Sequence, residues 1–282
     1  MNALLLIAII LGVSLQDVTK KIYNQKSEVA GVYFFTALSA LAAAIFFALT
    51  SGSLNFNISI VPYSVAFAIS YTAGVVGSVM AIASGPLSLT SLIVSFSLML
   101  PTLYGLIFLN DPISIGLFPG LALLAASLFL INKRDEGLKI NTKWVICVIF
   151  AFLGNGFCTI SQKMQQLAFN GDYKNEFMII ALVITAAVAV VMTLIKERSI
   201  IKKQTVGGYT LGILCGAFNG MVNLFVMILS GLMPVSLMFP IISAGGIVAT
   251  FIISQVFYKE KLSKLQLIGF VLGTISVVLL NI

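Results

Sequence analysis

Long runs of apolar residues recur along this chain and are separated by short polar segments. A hydrocarbon layer about 30 Å thick requires roughly 20 apolar residues per helix, and the chain supplies runs of that length one after another. Backbone polar groups in lipid must be bonded within their own segment, and the two-residue alternation of a membrane barrel is absent, so the runs predict helices. Ten helices are predicted, over residues 3–22, 29–50, 60–83, 87–109, 113–131, 144–165, 177–195, 206–231, 235–257 and 265–280.

Polar and small residues recur between the two halves of the chain at nearly constant spacing. Such a recurrence indicates an internal repeat, and small changes in spacing are explained by loop insertions. The recurring pairs are Asp111 with Glu260, Gly120 with Gly269 and Asn132 with Asn281, each 149 residues apart, Lys21 with Lys163, 142 apart, and Ser84 with Ser230, 146 apart.

Each half of this repeat holds five predicted helices, over residues 1–135 and 136–282. Because five is an odd number, the second half enters the membrane in the opposite orientation to the first. Inverted repeats of this kind are typical of secondary transporters, whose substrate sites lie near the midplane between the halves. The sequence therefore predicts an all-α integral membrane protein with ten transmembrane helices in two inverted five-helix repeats.

Short motifs accompany the repeat. A glycine lies early in the first helix of each half, at Gly12 and Gly154, and each half also has an acidic residue that precedes an aliphatic residue and a glycine-containing helix, in segments 110–113 and 259–262. Together these features resemble the drug/metabolite transporter superfamily, EamA type, over the whole chain. The resemblance implies efflux or exchange of small polar or amphipathic metabolites, such as amino acids, by alternating access.

The composition agrees with a chain whose solvent is lipid. Of its 282 residues, 60% are apolar and 9% are charged, and the mean hydropathy is +1.11. Soluble domains are less apolar and carry more charge. Little chain is left for a soluble domain, and we expect a multi-pass protein of the cell membrane.

The positive charges are concentrated on one side of the predicted bundle. Fourteen of the 16 Lys and Arg residues lie on the connections that follow odd-numbered helices, whereas Lys163 and Lys174 lie on the other side. Positive loops stay cytoplasmic, so the charge count places both termini outside, while the resemblance implies that both are inside. Anionic headgroups account for the net charge of +7, and no nucleic-acid partner is expected.

Charged residues within the predicted helices are few, and they are the candidates for ion coupling. The chain has no His and nine carboxylates. Asp17 lies toward one end of the first helix, and Lys21 follows four residues later, where the two side chains can pair. Lys163 corresponds to Lys21 in the repeat. All three residues are candidates either for coupling and charge recognition or for anchoring helix ends at the membrane surface.

Uncharged polar residues within the apolar runs form a second group of candidates. Asn219 and Asn223 are four residues apart and share one helix face. Amides in lipid must find donors and acceptors, so each residue either joins helices or contacts substrate in a cavity. The candidates for the cavity are Asn155, Asn223, Asn219, Tyr71, Ser95 and Gln162.

Helix breakers mark the candidate gates. Pro101 in the fourth predicted helix and Pro240 in the ninth each remove one backbone hydrogen bond. Gly245 lies five residues after Pro240 and makes the ninth helix the least regular one. These positions are either gates or static kinks, which transmembrane helices tolerate.

Several classes of chemistry lack the residues they need. No metal site is expected because the chain has no His, and Cys147, Cys158 and Cys215 are isolated in apolar runs. We expect no other cofactor, since no phosphate-binding loop is present, and no enzymatic activity, since no paired carboxylates or Ser/His/Asp set lie at membrane depth. The predicted partners are a small-molecule substrate and the lipid bilayer, and the predicted state is a monomer.

Two alternatives to this prediction remain. Within the transporter class, the cargo could be an anionic, phosphorylated or lipid-linked metabolite, for which lysines such as Lys21 and Lys163 would be ligands. Outside that class, the chain could be a membrane sensor or assembly subunit that transports nothing. Recurring polar positions on helices rich in small residues favour transport, because such groups are costly in lipid.

Overall fold

The computed structural model describes residues 2–26, 31–84, 93–94, 96–111, 113, 115–131, 142–258 and 264–279. In these residues the chain is helical and forms no strand, which confirms the predicted all-α class. Ten helices of this described part have ten or more residues. They are α1 (Asn2–Lys26), α2 (Val32–Thr50), α3 (Val61–Ser84), α4 (Met99–Phe108), α5 (Leu117–Ile131), α6 (Thr142–Ala168), α7 (Lys174–Lys196), α8 (Val206–Leu232), α9 (Val235–Tyr258) and α10 (Lys264–Leu279).

Within the described residues, six helices are long and apolar enough to cross a membrane, judged by length and composition. They lie in α1, α2, α3 with its preceding turn, α6, α7 and α8. Three shorter apolar helices, of 10 to 17 residues, lie in α4, α5 and α10. The structure therefore fits a membrane protein.

The surface of α1 illustrates how the helices are oriented. Ile7, Leu11 and Leu15 recur every four residues along it and are exposed, whereas Ser14 and Gln16 are buried. In water the apolar stripe of such a helix would face the core. An apolar exterior over a partly polar interior is the arrangement expected when lipid is the solvent.

The fourth and fifth helices differ from the prediction within the described residues. The prediction placed the fourth helix over 87–109. Residues 87–92 and 95 lie outside the described part, 93–94 are helical, and a 3-10 turn at Phe96–Leu98 precedes α4, Met99–Phe108. Pro101 is the third residue of α4, so it lies in the first turn, where its missing N–H leaves no intrahelical bond unmade. Asn110, with φ of 52°, helps to separate α4 from α5, which begins at Leu117 rather than 113.

Helices pack in pairs that bring the two halves of the chain together. The most extensive contacts are those of α3 with α6, α5 with α10, α2 with α7 and α8, and α1 with α8. Helix α9 packs against α1, α4 and α10. Each of these pairs except α9 with α10 joins a helix of residues 1–135 to one of residues 136–282.

Glycines allow the closest of these approaches, between α3 and α6. A Cβ on Gly154 would overlap the backbone of Gly74, and a Cβ on Gly77 would lie 2.7 Å from the backbone nitrogen of Ala151. Small residues at helix contacts replace the hydrophobic driving force that operates in water, because they let dispersion contacts form along the backbones.

Helices α5 and α10 are joined by two reciprocal hydrogen bonds. The Ser127 hydroxyl donates to the carbonyl of Gly269 at 2.6 Å, and the Ser276 hydroxyl donates to the carbonyl of Gly120 at 2.8 Å. The two donors are 149 residues apart, and so are the two acceptors. This is the spacing at which residues recur in the sequence.

Helices α2 and α7 are tied together at both ends. Beyond the end of α7, Glu197 accepts hydrogen bonds from the backbone N–H of Val32 at 2.9 Å and of Phe34 at 3.0 Å, which caps the first turn of α2. At the other end, Glu176 in the first turn of α7 accepts from the N–H of Asn55 at 2.7 Å. Phe47 and Phe177 belong to the buried cluster between them.

Replacing Gly154 with alanine should destabilise the bundle, because the new Cβ would meet the main chain of Gly74, which cannot rotate away. We expect a loss of about 1–3 kcal/mol, measured as a lower melting temperature in detergent. Gly246→Ala is the control, since no atom of the described residues lies within 4 Å of its Cβ position and alanine favours the helix. Equal melting temperatures for the two variants would contradict this packing.

Candidate functional site

Buried amide side chains form a continuous network where α1, α6 and α8 meet. Gln162 donates through Nε2 to Oδ1 of Asn223 at 2.7 Å. Asn223 donates through Nδ2 to Oδ1 of Asn219 at 3.1 Å and to its carbonyl at 2.9 Å. Asn219 in turn donates to Oε1 of Gln16 at 3.1 Å. Four amides from three helices are therefore linked in one chain of hydrogen bonds.

Helix geometry explains why these amides meet. Asn219 and Asn223 are one turn apart and face the same direction from α8. Gln16 reaches them because Gly12, one turn earlier on α1, has no side chain, and a Cβ there would lie 2.6 Å from Cγ2 of Val222. Gln162 approaches from α6 and is 1% exposed. The network therefore lies inside the bundle and away from lipid.

Tyr71 and Asn155 extend the polar region toward α3. Tyr71 stacks on Phe67 with ring centroids 5.5 Å apart, and its hydroxyl interacts with Asn219. Asn155 is half-buried, and its Oδ1 lies 3.0 Å from the position that a Cβ on Gly74 would take. Asn155 precedes Gln162 by two turns of α6 and shares its face.

The structure places most predicted cavity residues together. Gln162, Asn219, Asn223 and Tyr71 belong to one network, and Asn155 lies on the same side of α6 as Gln162. Whether they contact substrate stays a prediction. Ser95 and the side chains of Asp17 and Lys21 lie outside the described residues.

The predicted gating positions lie around α9 and α4. Pro240 is inside α9, and Gly245 faces α1 so closely that a Cβ would meet Cδ1 of Ile10. Pro101 is in the first turn of α4, where a kink is not required. Their role in gating stays a prediction.

Lys163 is buried within the helix bundle. It is 8% exposed, and its ammonium donates a hydrogen bond to the carbonyl of Ser230 near the end of α8. That carbonyl would normally accept from residue 234, which is Pro234 and has no N–H. The lysine therefore supplies a bond that the α8 backbone cannot make.

Sequence reasoning missed Gln16 and the role of Asp111. The sequence pattern does not distinguish Gln16 from its neighbours, although its position one turn after Gly12 places it on the face that packs against α8. Asp111 is a member of the repeat and not a predicted site residue, yet its Oδ2 accepts a hydrogen bond from the N–H of Ser236 at 3.0 Å. It also lies within electrostatic range of Lys163.

The network can recognise polar groups without changing charge. Its four amides and the phenol of Tyr71 offer both donors and acceptors. Hydrogen bonds between these groups can be replaced by hydrogen bonds to a ligand. Among the described residues, no group of three or more metal-ligating side chains occurs. The arrangement suits reversible hydrogen bonding.

The fold and this site define an all-helical protein with a buried polar network and helices of membrane-spanning length. No family model matches the chain, and no curated protein matches it. One solved structure, described only as the crystal structure of a protein, is similar with a TM-score of 0.79 and 13% identity over 98% of both chains. At this identity the likeness concerns the fold alone.

A double-mutant cycle tests whether Gln16 and Asn219 are energetically coupled. We expect Gln16→Ala and Asn219→Ala each to destabilise the protein, with a coupling energy of about 0.6 kcal/mol or more, as found for hydrogen bonds between membrane helices. Denaturation in detergent measures it. The control is the double-mutant cycle of Gln16 with Thr193, which should show no coupling energy. The Thr193 hydroxyl bonds to Ala189 of its own helix. Equal values for both cycles would contradict the network.

Proposed function

We propose that this chain is a secondary transporter of the drug/metabolite superfamily, EamA type, that moves small polar or amphipathic metabolites such as amino acids by alternating access. The observation that carries the proposal is the buried amide network of Gln16, Gln162, Asn219 and Asn223. In this proposal all ten helices cross the membrane, and the two five-helix halves have opposite orientations.

Helix packing supports the inverted repeat. If the two halves are equivalent, helices α1 to α5 correspond in order to α6 to α10. Exchanging each helix with its equivalent converts the pair α3 and α6 into the pair α8 and α1, and both pairs are in extensive contact. The same operation maps α2 with α7, α5 with α10, and α4 with α9 onto themselves with the partners exchanged. The reciprocal bonds of Ser127 and Ser276 have the same symmetry.

The position of the network supports binding of cargo. Gln16 and Tyr71 belong to the first half, and Gln162, Asn219 and Asn223 belong to the second. Transporters built from repeats bind their substrates at the interface between the repeats, near the midplane. Two hydrogen-bonded amides would be enough to join two helices, so a chain of four across both halves favours a binding function.

The chemistry of the network favours a cargo with uncharged or zwitterionic polar groups, since amides and a phenol carry no net charge. Lys163 favours a second candidate, an anionic or phosphorylated metabolite, because it places a buried ammonium one residue after Gln162. In either case the protein would work as a monomer in the cell membrane, with both termini on the same side, and would export or exchange its cargo.

Counterflow in proteoliposomes tests the proposal. Vesicles preloaded with amino acids, nucleosides, quaternary amines or sugar phosphates should accumulate the corresponding labelled compound from one of these classes. Gln162→Ala and Asn223→Ala should lower the initial rate about tenfold, the effect of losing one buried hydrogen bond to cargo. Thr210→Ala is the control on α8, because Thr210 is exposed and bonds to Val206 of its own helix.

Two outcomes would contradict the proposal. If no labelled compound accumulates in vesicles that contain folded protein, the proposal that the protein transports these classes of compound is wrong. If transport occurs but both amide variants match the wild type and the control, the network is a structural contact between helices. Preference for sugar phosphates, lost in Lys163→Met, would favour the anionic cargo.

A further inference from the structure

The connection between α8 and α9, residues 233–234, is short and is called here the α8–α9 joint. One backbone hydrogen bond of the helix is missing beside it. Helix α8 ends at Leu232 and α9 begins at Val235, with Pro234 between them. Because proline has no N–H, the carbonyl of Ser230 has no helical partner, and the ammonium of Lys163 on α6 bonds to it. A cation at the end of α8 also complements the negative end of the helix dipole.

The opposite side of this joint is held by a carboxylate. Oδ2 of Asp111 accepts from the N–H of Ser236 at 3.0 Å in the first turn of α9, where an anion complements the helix dipole. Asp111 is itself tied to the end of α4, since its N–H donates to the carbonyl of Gly105 at 3.1 Å. A Cβ on Gly105 would collide with Asp111 and with Val235, so the fit requires glycine.

The joint is closed but incompletely satisfied. The hydroxyl of Ser236 is buried and has no hydrogen-bond partner within the described part of the chain. A buried hydroxyl without a partner destabilises the arrangement that contains it, and opening the joint would hydrate this group. The bonds of Lys163 and Asp111 therefore hold the joint closed, while burial of the Ser236 hydroxyl opposes this arrangement.

The amide network lies close to this joint along α8. Asn223 precedes Ser230 by seven residues, which is about 10 Å of helix at ~1.5 Å per residue. Gln162, which bonds Asn223, is the neighbour of Lys163 in sequence. The α8–α9 joint therefore lies between the network and the end of the bundle at which α6 and α8 terminate.

We infer that Lys163 and Asp111 form a latch that keeps the α8–α9 joint closed and that its release opens the path from this end of the bundle to the amide network. The inference rests on the proposed transport function. Lys163, Ser230 and Asp111 are also three of the positions that recur between the halves of the sequence. The latch is a conformational element, and neither residue is assigned to cargo binding by it.

Distances between spin labels test the latch. The labelled cysteines replace Leu49, near the end of α2, and Leu232, at the end of α8, both of which are exposed, in a background without the three buried cysteines. We expect one dominant distance in the wild type. Lys163→Met removes a charge-assisted hydrogen bond, and Asp111→Asn removes the charge from one. Each variant should therefore raise the ratio of a longer to this shorter distance about tenfold. Lys163→Arg keeps its donors and should preserve the shorter distance.

Glu176→Gln is the matched control, since it changes a buried carboxylate at the same end of the bundle that ties α7 to Asn55 instead of the joint. Asp111→Asn keeps an oxygen for Ser236 and covers the case in which Lys163→Met does not fold. Unchanged distances in folded Lys163→Met or Asp111→Asn, or an equal shift in Glu176→Gln, would overturn the latch. Because the distances require no cargo, the latch can fail while counterflow succeeds, and the reverse.

Discussion

The structure depends on one constraint, which is that a polar group inside an apolar layer must find its partner within the protein. The constraint directs apolar side chains such as Leu11 outward and amides such as Gln16 inward. It also selects the neighbours of each helix, because a serine hydroxyl or an amide specifies a partner more narrowly than an apolar contact does. The bonds of Ser127 with Gly269 and of Gln16 with Asn219 are examples that join distant parts of the chain.

The sequence predicted the helices well where an apolar run is uninterrupted, because length and hydropathy are then sufficient. It did not predict the 3-10 turn that precedes α4. An apolar residue is compatible with both a 3-10 turn and an α-helix, so the run over 87–109 does not reveal the turn at Phe96–Leu98. The same limitation applies to α5. Turn residues such as Asn110 carry the missing information, but their backbone conformation depends on tertiary contacts.

The polar site was predictable in part. The spacing of Asn219 and Asn223 defines a common face, and an amide in an apolar helix requires a partner. The identity of that partner does not follow from spacing, because Gln16 reaches Asn219 only through the close approach of α1 and α8 at Gly12. The burial of Lys163 was equally hidden, since a lysine near a helix end can also extend to the membrane surface. The available signal for this burial was Pro234, because a proline there leaves the carbonyl of Ser230 without a helical donor.

The reciprocal bonds between α5 and α10 have a consequence for biogenesis. A ribosome makes α5 well before α10, and more than a hundred residues separate Ser127 from its acceptor, Gly269. During that interval the Ser127 hydroxyl and the Gly120 surface have no native partner, so the first five helices cannot reach their final packing as they emerge. The native contacts of α5 with α10 can therefore form only after nearly the whole chain has been synthesised.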